Sequence, residues 1–127
     1  MNQLALVREH KADFLARYET PVFLAEAADA VVSHQWGNPL NYLYLEVCWQ
    51  GYALVHNSAA LAAQGVGLYY HGFRAREAAA TLLAAWCAPR EFWDAYRERS
   101  QSWLLTLDPR AQSVREAFAQ RLRGSHA

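Results

Sequence analysis

The sequence predicts an α/β fold built on a parallel sheet, and three observations carry that prediction. Short apolar, β-prone runs alternate with helical stretches as far as Tyr70. The segments between those runs are too long for tight hairpins. From Arg74 onward the periodicity is helical only. Parallel strands need a crossover, usually a helix, whereas antiparallel neighbours join by short turns. Short apolar runs do not by themselves separate strand from helix, so periodicity alone leaves an all-helical bundle open.

Leu4, Val7, Phe14, Leu15 and Tyr18 recur at helical spacing, which predicts an amphipathic helix over Asn2–Tyr18, ended by Thr20-Pro21. Pro21–Leu24 and Ala30–Ser33 read as two short strands. Gly37-Asn38-Pro39 is a helix-start signal, an Asn cap followed by Pro, for a helix over Leu40–Gln50 that Gly51 terminates. Tyr52–His56 is a third strand, closed by Asn57-Ser58, which caps a short helix around Leu61 that Gly65 ends. Gly67–Tyr70 is a fourth strand, followed by His71-Gly72. Helices are expected over Ala75–Ala88 and Glu91–Leu107, with Phe92, Trp93, Tyr96 and Trp103 as a core stripe. Asp108-Pro109 then starts a last helix carrying Val114, Phe118 and Leu122. The Tyr42/Tyr44 and Tyr69/Tyr70 pairs read as packing residues rather than stacking platforms.

Composition narrows the class. The chain has 127 residues, 54% of them hydrophobic and 19% charged, which excludes disorder and suits a single domain. Twelve cationic and twelve anionic side chains cancel, removing the simplest electrostatic case for binding a phosphate backbone or an anionic membrane. No apolar run approaches the ~18 residues of a membrane span. No secretory leader is evident, so a cytoplasmic protein is expected, with Cys48 and Cys87, both inside apolar segments, as free buried thiols. No pair among Cys48, Cys87, His34, His56 and His71 has the short spacing of a zinc site.

The residues without an obvious structural duty fall between Ala30 and His71: Ser33, His34, Gln35, Asn38, Asn41, Glu46, His56 and Asn57. In a parallel α/β sheet, ligands bind outside the carboxyl ends of the strands. Ser33-His34-Gln35 and His56-Asn57 each follow a predicted strand and so fall on one edge. A helix starting at Asn38 would add free backbone N–H groups there. Glu46 places a charge in a largely apolar helix, to bind a ligand or to pair with an arginine such as Arg74.

The string DAVVSHQWGNPLNYLYLEVCWQGYALVHNS, residues 29–58, resembles the donor-binding half of a GT-B glycosyltransferase. More closely it resembles a glycosyltransferase-like family of bacteria and phages with a VVSHQ…NxLNYLYxE…GYPLVHNS core. The resemblance runs from about Ala27 to Ala85 and implies a partial Rossmann-like sheet of about four short strands with a helical C-terminal third. It implies nucleotide-diphosphate sugar as donor and no metal or other cofactor. The family pattern has two Glu separated by seven residues. The second matches Glu46, placing it on the ribose hydroxyls. Asn38 stands where the first Glu would be, near the donor sugar.

The acceptor domain and the earlier strands of the donor domain are not recognisable in this chain. Two functional expectations follow. The chain is a donor-binding domain for hexosyl transfer, completed by a homo-oligomer or a second chain that supplies the acceptor side, with nucleic acid entering only as an acceptor. Alternatively, it is a non-catalytic interaction module or a remnant of such an enzyme.

Overall fold

The computed structural model describes residues 4–124. Ten elements follow in chain order: α1 (Ala5–Arg8), α2 (Thr20–Ala27), β1 (Ala30–Ser33), α3 (Tyr42–Gln50), β2 (Ala53–His56), α4 (Ala59–Ala62), β3 (Leu68–Tyr69), α5 (Ala75–Trp86), α6 (Arg90–Thr106) and α7 (Gln112–Gly124). The strands form one parallel sheet in the order β1-β2-β3, with Ser33 opposite His56 and His56 opposite Tyr69. All three strands therefore end at the same level, and the expected α/β class with a parallel sheet is observed.

Central β2 is buried at all four positions, as a strand covered on both faces must be. Its alternation divides the core. Leu54 joins Leu24, Tyr44, Val47, Cys48, Leu61 and Val66 on one side of the sheet. Val55 joins Tyr70 and Ala78 on the other, under α5. Tyr96 of α6 is buried as well; its hydroxyl accepts from Leu54 N at 3.0 Å and donates to the Tyr52 carbonyl at 3.0 Å.

Gly51 adopts φ 77° and ends α3 in the left-handed conformation expected of a C-terminal glycine. Ser58 caps α4 by accepting from Leu61 N.

Several expectations are corrected. Within Asn2–Tyr18, of which residues 2–3 lie outside the described region, only Ala5–Arg8 is helical. His10 turns the chain at φ 54°, and Leu4, Phe14, Leu15 and Tyr18 are exposed. An amphipathic pattern becomes a stable helix only where its apolar face finds a partner; here most of that face stays exposed, and Tyr18 packs its ring on Phe23 of α2, at 5.5 Å.

Pro21–Leu24 is not a strand but the start of α2, where proline fits the first turn at no cost in hydrogen bonds. The sheet accordingly has three strands, not four. The helix expected at Leu40 begins at Tyr42, with Asn41 extended in the cap position, and the Pro39 carbonyl accepts from Ser58 Oγ instead of opening the helix. The last helix begins at Gln112; Asp108 instead closes a turn by accepting from Arg110 N at 2.8 Å.

Both cysteines are free, but only Cys48 is buried. Burial raises the Cys48 thiol to about 11, while Cys87, at the end of α5, is exposed. Of the aromatic stripe, Tyr96 alone is fully buried, and Phe118 and Leu122 of α7 are exposed. Tyr44 and Tyr70 pack in the core, whereas Tyr42 lies 84% exposed.

Candidate functional site

At the carboxyl ends of the strands, Asn57 holds three loops together. Its Oδ1 accepts from Gln35 N at 3.0 Å, and its Nδ2 donates to the Gln35 carbonyl and to the Gly72 carbonyl, both at 2.9 Å. The amide so replaces the ladder bonds lost where β1 and β2 end, and it ties the loops after all three strands into one rim. Asn57 itself is largely spent on this clasp.

Two further predicted residues belong to the same network. Ser33 is buried and donates through Oγ to the Tyr44 hydroxyl at 3.2 Å; Gln35 Nε2 donates to that Ser33 Oγ at 3.2 Å. The Tyr70 hydroxyl donates to the Ser33 carbonyl at 3.0 Å and lies 2.7 Å from His34 Nδ1. Burial raises the Tyr70 pKa, so its proton stays on.

His34 is exposed and sits in a run of aromatic rings leading from the core to the solvent. It lies parallel to Tyr70 at 5.9 Å and edge-on to Phe73 at 4.9 Å, and Phe73 stacks on Trp36 at 4.9 Å. Trp36 is 85% exposed.

His56, in contrast, is turned into the core. Its Nδ1 accepts from Ser58 N at 3.1 Å, so Nε2 carries the proton and donates to the Val66 carbonyl at 2.8 Å. Burial lowers its pKa and favours the neutral ring. Both nitrogens are used, and the ring is inaccessible. Gly67 makes room for it: a Cβ there would stand 2.5 Å from His56 Cδ2.

The remaining predicted residues are only partly brought together. Asn38 is exposed and lines, with Gln35, Gly37, Pro39, Asn57 and Ser58, a small hollow of about 160 Å³. Asn41 Oδ1 is buried without a hydrogen-bond partner. Glu46 lies in the second turn of α3, half-buried, and makes no hydrogen bond or ion pair with another described residue. Two residues beyond Tyr44, it stands roughly 200° round the helix from that core position. Arg74, its expected alternative partner, lies 3.7 Å from Glu77 instead.

Binding clefts for small molecules usually measure ~300–1,000 Å³. On that scale the hollow at Asn38 fits only a small group. A cavity of about 440 Å³, lined by Val32, His34, Tyr70, Ala75, Ala78 and Leu82, is ligand-sized. A larger one, about 670 Å³, lies at the opposite, amino edge of the sheet, against Asp29, Gly51, Trp86, Trp93 and Arg97. No cluster of three or more His, Cys, Asp or Glu among the described residues could hold a metal ion. No described helix is long and apolar enough to cross a membrane.

Phe73 and Trp36 contribute to this edge without having been singled out from the sequence, and Tyr70, read there as a packing residue, is buried but also turns its hydroxyl to Ser33 and His34. A tyrosine at a buried strand end was the available signal, since a buried hydroxyl requires a partner.

The features define a small α/β domain, 55% helical, with a three-stranded parallel sheet and a polar, aromatic-rimmed carboxyl edge. The chain belongs to the family described as "Protein of unknown function (DUF2827)", whose model matches residues 1–122. No curated protein and no solved structure matches it.

Proposed function

We propose that the chain is the donor-binding part of a GT-B-type glycosyltransferase, its sheet a portion of a Rossmann-like one. It would recognise a nucleotide-diphosphate sugar at the carboxyl edge for hexosyl transfer, and a second chain or region would supply the acceptor side. The observation that carries this reading is the Asn57 clasp. It gathers the loops after three parallel strands where α/β sheets bind ligands, and leaves His34, Gln35 and Asn38 beside them. The likeness of residues 29–58 to the donor-binding half of such enzymes supports it independently. In this reading Glu46 accepts hydrogen bonds from the ribose hydroxyls, and its lack of a partner among the described residues is consistent with that duty.

A second reading is a non-catalytic module that binds another protein. It is favoured by the exposure of Trp36, Tyr42, Trp49 and Trp86, all above 60%.

Calorimetric titration with UDP and GDP separates the two. Donor binding predicts saturable heat with one of them on the wild type, lost in Glu46→Ala and in His34→Ala variants that remain folded by circular dichroism. Heat indistinguishable from dilution, on folded wild type, would remove the donor reading and leave the interaction module.

A further inference from the structure

A single buried proton determines what His34 presents to a ligand. The Tyr70 side chain is fully buried, and its hydroxyl reaches two groups: the Ser33 carbonyl at 3.0 Å and His34 Nδ1 at 2.7 Å. A carbonyl oxygen can only accept, whereas an imidazole nitrogen can accept or donate. If Tyr70 gave its one proton to His34, two oxygen lone pairs would face each other at 3.0 Å. The arrangement that satisfies both contacts has the proton of Tyr70 on the Ser33 carbonyl and His34 donating from Nδ1 to the tyrosine oxygen.

In a neutral ring that leaves Nε2 bare. No other described residue hydrogen-bonds to it. The ring is meanwhile held in place by its parallel contact with Tyr70 and its edge contact with Phe73.

We infer that Tyr70 is a positioning residue that locks His34 as the Nδ1–H tautomer, so that Nε2 serves as a hydrogen-bond acceptor for a hydroxyl of the ligand bound at this edge. The exposed Trp36–Phe73 stack beside it offers a flat apolar surface. A ring with an apolar face and hydroxyls at its rim, such as a pyranose, matches both features at once. The ligand half of this inference rests on the donor-binding reading; the tautomer half does not.

The test is nitrogen NMR of the full-length chain labelled with ¹⁵N-histidine, at about pH 8, where an ordinary histidine is neutral. The His34 signals are assigned by their disappearance in His34→Gln. The expected result is a protonated Nδ1 and a pyridine-type Nε2, with that preference lost in Tyr70→Phe. A wild-type His34 protonated at Nε2 would overturn the inference even if the tyrosine variant did not fold. An unchanged tautomer in a folded Tyr70→Phe would overturn Tyr70's role.

UDP-glucose is then added to the same sample. Its binding should shift the Nε2 resonance upfield as that nitrogen accepts a hydrogen bond. Saturable UDP heat with an Nε2 signal that UDP-glucose leaves unmoved overturns the ligand half while sparing the donor reading. A bare Nε2 in a protein that binds neither UDP nor GDP sustains the tautomer and removes the donor reading.

Discussion

His34 and His56 end, or just follow, adjacent strands of one sheet, one register apart, yet they have opposite lives. His56 is enclosed, with one nitrogen accepting from Ser58 N and the other donating to the Val66 carbonyl. His34 stands in solvent with one nitrogen anchored to Tyr70 and the other without a partner among the described residues. The pair shows how a strand end is divided between a ring enclosed in the fold and a ring open to solvent. The side chain level with the central strand is drawn under the loop that follows α4. The position just past the edge strand is exposed, flanked only by Tyr70 and by Phe73 of the loop after β3.

That contrast can be broken most forcefully at His56. Replacing it with alanine opens a hole and strands a buried amide and a buried carbonyl, so His56→Ala should lose about 3 kcal/mol or more in urea unfolding. A loss below about 1 kcal/mol would show that the ring is not a structural member. Asn57→Ala comes next. It removes three hydrogen bonds but at a half-exposed rim where water can substitute, for about 2 kcal/mol. The variant should also loosen the loops, seen as faster amide exchange at Gln35.

Acidification sharpens the comparison further. Burial lowers the folded pKa of His56 below its ordinary value of about 6.5, so the unfolded chain takes up the proton first. Its contribution to stability is complete above about pH 6.5 and is lost as pH falls through the folded value. Urea midpoints should therefore decline in that window for the wild type, and the decline should shrink in a folded His56→Gln. Glu77 and Asp108, held low by hydrogen bonds from His71 and Arg110, act only in a more acidic range. The smallest stability effect belongs to His34→Ala, within about 1 kcal/mol, because an exposed ring with one hydrogen bond holds little of the fold. Ligand heat, not the urea midpoint, is where that substitution should tell.

The sequence makes the strand-to-helix junctions legible because their chemistry is local. Ser58 is a capping type at a cap, Gly51 supplies a left-handed residue, and Ala30–Ser33 is bracketed by polar clusters. It misleads where the outcome depends on a distant partner. The apolar spacing of Asn2–Tyr18 is helical, but a helix there needs a surface to lie on. Pro21 suits both a strand start and a first helical turn, and only the packing of Leu24 into the core decides.

The same holds at the site. Ser33, Gln35 and Asn57 share an edge as strand-end reasoning predicts. Nothing near His56 in the chain reveals that the Val66 carbonyl, ten residues on, will capture it, or that Glu46 will make no hydrogen bond or ion pair with another described residue.

Tyr96 gives the fold a built-in gauge. The Leu54 amide is satisfied by the hydroxyl of a residue on α6, 42 positions away. Its proton can exchange with deuterated water only when α6 lifts from the sheet or the whole domain opens. The exchange rate at that one amide therefore reads out how tightly the helical third of the molecule is clasped to the strands. A Tyr96→Phe variant, which keeps the ring and drops the latch, would calibrate the scale.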